Sequence, residues 1–176
     1  GVGHGWMLAT KNDLPKSIAM CEKLITSFSI SACVNGVFME NFTVYQKEKP
    51  SKFLKSDNPS YPCKEQTTSR KADCYIYAPA YYLSLNKNKY TETLKWCEQV
   101  EQDYQNICAQ GVGSQVMKDN INNHGFAENI CASGKAELAQ PCIKGLSSLY
   151  LFHNGELKPA QELCAKLAEQ NKITCN

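Results

Sequence analysis

Ten cysteines and three histidines carry most of the reactive chemistry open to this chain. Zinc sites draw cysteines in pairs about two to four residues apart. No such pair occurs, and neither does CxxCH, CxxC or an iron–sulfur spacing. The count is even and each cysteine has a matched partner, so structural disulfides are expected, which implies a secreted, periplasmic or cell-surface protein. Cysteines bonded in this way do not serve as nucleophiles. HExxH, GxSxG and the P-loop lysine motif are absent. The opening GVGHG follows no strand, so its glycines are expected to allow close helix packing rather than to cradle a phosphate.

Spacing defines the elements that must position these residues. The cysteines pair as Cys21/Cys33, Cys63/Cys74, Cys97/Cys108, Cys131/Cys142 and Cys164/Cys175. First members follow one another at 42, 34, 34 and 33 residues, and a period of this length marks stacked repeats. A glycine stands three residues after the second cysteine at Gly36, Gly111 and Gly145, with Tyr77 in its place in the second unit. The segment GVGHGWMLATKN fits the same frame, with Gly1 at that glycine. One repeat domain over 1–176 is expected: a half unit at 1–12, then units at about 13–45, 46–86, 87–120, 121–154 and 155–176. The chain opens inside a repeat without a signal peptide, as expected of a mature or trimmed form whose upstream helix has been removed.

Each unit contains two helical patterns. In LPKSIAMCEKLI, Leu14, Ile18, Cys21, Leu24 and Ile25 fall at helical spacing, with Asp13 or Asn12 as cap and Pro15 in the first turn. Ile30, Cys33, Val37 and Phe38 line the second helix. In the fourth unit Gly134 suits the end of the first helix and Pro141 the start of the second. An antiparallel hairpin brings positions equidistant from its turn face to face, where a disulfide closes. The expected fold is all-α: a short right-handed α-solenoid of about five antiparallel helical hairpins, one disulfide in each. A rival pattern stays open in the third unit, where TLKWCEQVEQDYQNICAQG has no evident breaker. There both cysteines can share one face of a long helix and bond to neighbouring helices, as in twin CX9C proteins.

Unit two departs from the pattern. Pro50, Pro59 and Pro62 precede Cys63 and exclude a regular first helix, and the eight extra residues of the spacing enter here. From Lys47 to Lys71 seven basic residues meet three acidic ones, as in a solvated connection or a loop that contacts an acidic surface. Tyr75, Tyr77, Tyr81 and Tyr82 follow. On one continuous helix Tyr75 and Tyr82 share a face, and Tyr77 and Tyr81 another. One of these pairs is a candidate binding surface, since tyrosine combines area with a polar tip; packing beneath the loop is the alternative.

The candidate chemical site is His4 with Glu40. The repeat frame sets His4 opposite Met39 and Gly5 opposite Glu40, so the two lie on adjacent stacked helices, offset by one residue. Such a pair suits acid–base catalysis or half of a transition-metal site, with a third ligand expected from Asn35, Asn41 or the upstream residues. The alternative is a hydrogen-bonded pair at a helix interface. His124 reads as a turn residue, His153 as a helix-end residue, and the Asn41-Phe42-Thr43 sequon as coincidence.

The 34-residue, two-helix unit resembles the tetratricopeptide and Sel1-like class of αα-repeats in plan, without the tetratricopeptide signature residues. GVGHG, LPKSIAMC and CVNGVFMEN are also similar to segments of cysteine-rich proteins exported by bacteria. Nineteen basic against seventeen acidic residues give a net charge of +2, too near neutral for nucleic acid to be the main partner, and no apolar run is long enough to span a membrane. The expected function is an exported binding or scaffold module for a protein or peptide partner, non-catalytic and without a cofactor. Self-association through the uncovered N-terminal half repeat is a further expectation. The alternative is a metal-binding protein or enzyme that uses His4 and Glu40.

Overall fold

A computed structural model of the chain describes residues 1–43, 51–158, 161–163 and 165. Cys164 and Cys175, the fifth expected bridge, lie outside these residues. The chain divides into two compact units, Gly1–Leu85 and Asn86–Asn176. Both are helical, and no strand occurs among the described residues.

In the first unit, α1 (Val2–Ala9) precedes a hairpin of α2 (Leu14–Cys21) and α3 (Ser27–Thr43), followed by α4 (Thr68–Tyr75) and α5 (Ala78–Leu85). In the second, α6 (Tyr90–Cys97) and α7 (Gln105–Asp119) form one hairpin, and α8 (His124–Ala132) and α9 (Ala136–Asn154) another. Each hairpin is closed by its own disulfide: Cys21–Cys33, Cys97–Cys108 and Cys131–Cys142, with Cα atoms 5.4–5.6 Å apart. Cys63–Cys74 ties α4 to a 3₁₀ turn at Cys63–Glu65, which replaces the first helix of unit two.

The third unit therefore bonds within its hairpin. The long-helix pattern fails because the chain turns through a 3₁₀ segment at Gln102–Tyr104. Gln105 supports that turn, its side-chain amide donating to the Glu98 and Val100 carbonyls left open at the end of α6.

Short sequence features recur at matching repeat positions. Asp13 caps α2 by accepting from the Lys16 N–H, with Pro15 in the first turn as expected. Asn123, its equivalent before α8, accepts from Phe126 N–H. The turns into α2 and α6 use the same left-handed dipeptide, Lys11-Asn12 and Lys87-Asn88, with φ between 57° and 61°. Ser17 and Thr93, both fully buried one turn before the first cysteine, each donate a hydroxyl to the carbonyl of the residue that precedes the helix.

Glycines set the distance between second helices. A Cβ on Gly3 would overlap the Cys33 carbonyl oxygen and stand 2.6 Å from Val37 N, while one on Gly36 would press on Gly3 Cα at 3.2 Å. In the second unit a Cβ on Gly113 would overlap the Cys142 carbonyl oxygen, and one on Gly145 the Gln110 carbonyl oxygen. Gly3 and Gly113 each stand five places after a second-cysteine position, so α1 meets α3 in the same register as α7 meets α9. Met7, Leu14, Phe38, Phe42 and Tyr75 fill the first core; Leu94, Val112, Val116, Met117, Ile143 and Leu146 fill the second.

Two expectations about prolines and helix ends are corrected. Pro141 does not start a helix: α9 begins at Ala136 and runs through it, losing one backbone hydrogen bond in its second turn. Unit two does not continue in one helix either. Pro79 lacks the N–H that would bond to Tyr75, and the chain breaks between α4 and α5. Gly134 does lie just past the end of α8, where a Cβ would stand 2.5 Å from Leu94 Cδ2.

Candidate functional site

The structure brings His4 and Glu40 together. Nδ1 of His4, on α1, donates to Oε2 of Glu40, on α3, at 2.8 Å. Both side chains are partly buried, 31% and 13% exposed. A carboxylate on Nδ1 fixes the ring tautomer and leaves Nε2 as the basic nitrogen. No third His, Cys, Asp or Glu joins them in a metal-sized group among the described residues. The two asparagines expected as further ligands are engaged elsewhere: Asn35 donates to Ser31 and Asp73, and Asn41 accepts from Ser51.

The second unit supplies an internal comparison. In the repeat frame the counterparts of His4 and Glu40 are Ser114 and Leu149. Ser114 donates to the Gly145 and Gln110 carbonyls at 3.1 and 3.2 Å, and the same glycine-spaced interface forms around it. Helix packing in this register therefore does not depend on an imidazole–carboxylate pair.

The tyrosine surface is corrected. Tyr75 is fully buried and Tyr81 is 6% exposed, so both belong to the core, while Tyr77 and Tyr82 are half-buried. Each expected pair thus has one buried member. The cause is the break before Pro79, which interrupts the single helix on which those faces were drawn. Burial first, then the charge of Asp73 for Tyr77 and of Asp57 for Tyr81, holds both hydroxyl pKa values above the ordinary 10.0. Asn41 is also fully buried, which closes the sequon to glycosylation in the folded chain. His153 lies in the last turn of α9, as expected, and His124 opens α8.

A cleft of about 300 Å³ opens in the first unit between α2 and the proline-containing segment that precedes α4. Leu14, Ile18 and Ala19 of α2, with Glu22 just past its end, form one wall, and Phe53, Tyr61, Pro62 and Glu65 contribute to the other. Lys52, Lys55 and Arg70 are held beside it. Lys52 Nζ lies 3.9 Å from Asp13 and 5.0 Å from the Phe53 ring centroid, and Lys55 Nζ lies 3.9 Å from that of Tyr61. Arg70, the one arginine of the chain, stands 3.7 Å from both Glu22 and Asp73. Asp73 in turn accepts from Ser31 and Asn35 of α3. Sequence reasoning missed this cleft, although its signal was present in the eight extra residues, the prolines, and the aromatic residues Phe53 and Tyr61.

Set against family models, curated proteins and solved structures, the chain matches none. Its own residues carry the functional argument.

Proposed function

We propose that this protein is an exported, disulfide-stapled α-solenoid that binds a protein or peptide partner and takes no catalytic part. One observation carries the proposal. Where regular stacking would set the first helix of the second repeat against α2, the inserted segment leaves an open cleft lined by Leu14, Ile18, Phe53 and Tyr61 together with Glu22 and Glu65. At about 300 Å³ it matches the small end of ligand pockets and accepts about two side chains of a peptide. Export is supported by the four disulfides. The solenoid, with its likeness in plan to tetratricopeptide and Sel1-like repeats, is supported by the recurring register of α1 on α3 and of α7 on α9.

The test is fluorescence anisotropy with a labelled pool of decapeptides of mixed sequence. The wild-type protein is expected to bind part of the pool, and Ala19→Trp, which fills the cleft from an exposed position, is expected to lose that binding. Equal binding by both proteins would place the contact elsewhere; no binding by either would remove the proposal.

A second function is favoured by the Ser114–Leu149 comparison. Since packing does not require the His4–Glu40 pair, the pair suits a metal-binding or acid–base role. Elemental analysis of protein purified without chelator decides it: a stoichiometric transition metal lost in His4→Ala supports this role, and metal-free wild type argues against metal binding. The outer face of α1, with Val2 and Leu8 exposed, is the surface proposed for self-association. Size that grows with concentration, and stops growing in Leu8→Ser, would support it.

A further inference from the structure

We infer that Asn154 is a site of spontaneous deamidation in the folded protein, and that the fold protects Asn35 from the same reaction. Asparagine followed by glycine occurs twice in the chain, at Asn35-Gly36 and Asn154-Gly155. The dipeptide favours cyclisation, because glycine sets no side chain in the way of the attacking nitrogen and leaves its backbone free to turn. Water is the only co-reactant. The Gly155 nitrogen bonds to Cγ of Asn154 and the Cγ–Nδ2 bond breaks. The proton lost by that nitrogen is returned through water to Nδ2, which leaves as ammonia. A water molecule then opens the succinimide ring. Cleavage between the nitrogen and Cγ gives aspartate; cleavage of the main-chain bond gives isoaspartate, with the chain continued through the former side chain.

The two dipeptides are alike in sequence and opposite in setting. A helical backbone holds the carboxamide carbon away from the next nitrogen, so the asparagine must leave the helix to react. Asn35 stands at the middle of α3 (Ser27–Thr43). Its amide donates to the Ser31 carbonyl at 2.9 Å and to Asp73 at 3.0 Å, and Gly36 is buried against Gly3. Freeing Asn35 therefore means opening α3 and parting it from α1. Asn154 is the last residue of α9, exposed like Gly155 after it, and Gly155 has already left the helix with φ of 71°. Two hydrogen bonds hold the site. Gly155 N–H donates to the Leu151 carbonyl at 2.9 Å, and the Asn154 amide donates to the Tyr150 carbonyl at 2.8 Å. Both belong to a final helical turn, which opens at little free-energy cost. Either product replaces the amide donor to Tyr150 with a carboxylate at the negative end of the α9 dipole. The reaction also removes one of the two net positive charges of the chain.

Peptide mapping by mass spectrometry tests the inference. The chain with its disulfides intact is held at mildly alkaline pH and sampled over time, beside a chain reduced and unfolded in guanidinium chloride. In the folded protein Asn154 is expected to convert at least about tenfold faster than Asn35. In the unfolded chain the two should convert at similar rates, because each is followed by glycine. Gly155→Ala should slow conversion of Asn154 and leave Asn35 as it was. Equal conversion of Asn35 and Asn154 in the folded protein would overturn the protection by α3. An Asn154 that converts when unfolded and stays intact when folded would overturn the site, since the last turn of α9 would then hold it closed. Asn154 intact under both conditions would overturn the inference altogether.

Discussion

Two glycines of one helix, two residues apart, are expected to respond to alanine with opposite signs. Gly5 has open space where its Cβ would stand, so Gly5→Ala keeps every contact and gains helix propensity, up to about 1 kcal/mol. Gly3 faces α3. A Cβ there would overlap the Cys33 carbonyl oxygen and lie 2.6 Å from Val37 N and 2.8 Å from the Gly36 carbonyl carbon. All three are backbone atoms, so no side chain can swing aside, and α1 must lift by roughly 1 Å to reach ordinary carbon–oxygen separations. Overpacking of this kind costs about 1–3 kcal/mol, and lifting α1 also loosens Met7, which is fully buried. Since only backbone can yield, the cost lies at the upper end of that range, and after the propensity gain Gly3→Ala should destabilise by up to about 2 kcal/mol, lowering Tm by up to about 4–8 °C for a chain of this length. Thermal and urea unfolding under non-reducing conditions give both values. Gly113→Ala, in the same register on α7, should behave like Gly3→Ala. A Gly3→Ala protein as stable as wild type would refute the close approach of α1 to α3, and with it the shared register.

The remaining predictions concern the bridges, one tyrosine and the paired site. Replacing Cys97 and Cys108 by serine opens a loop with a sequence separation of 11 and should cost about 3 kcal/mol in the loop-entropy account, measured by urea unfolding. Tyr90 has its pKa raised to about 12 by burial first, then by the hydrogen bond it donates to Asp119 at 2.9 Å and by the charge of that carboxylate. An unfolded tyrosine ionises near 10, so the stabilisation from this group is complete below pH 10 and is lost as pH rises through about 12. Tyrosinate absorbance should include a group titrating near 12 that vanishes in Tyr90→Phe, and the alkaline loss of stability should lessen with it. Installing the second unit's residues at the candidate site, His4→Ser with Glu40→Leu, should change stability by no more than about 1 kcal/mol. A loss several times larger in urea unfolding would mean that the pair is needed to hold α1 on α3.

What could be read in the sequence was what repeats or acts locally. The period of the cysteines set the four bridges seen among the described residues, because an antiparallel hairpin leaves each thiol within reach of its partner. Asp13 and Pro15 marked the start of α2 through the backbone donors any helix leaves open. The same frame set His4 beside Glu40, since residues a repeat apart fall next to each other when second helices stack. Tertiary structure decided the rest. It split the tyrosines between core and half-buried positions, because Pro79 broke a helix that spacing alone would continue. It stopped α6 where no breaker stands, because the Gln105 amide reaches carbonyls five and seven residues earlier in the chain. And it turned an insertion into a cleft. Periodicity can report that a helix is missing, but the shape left behind depends on where Phe53 and Tyr61 stand across the cleft from α2.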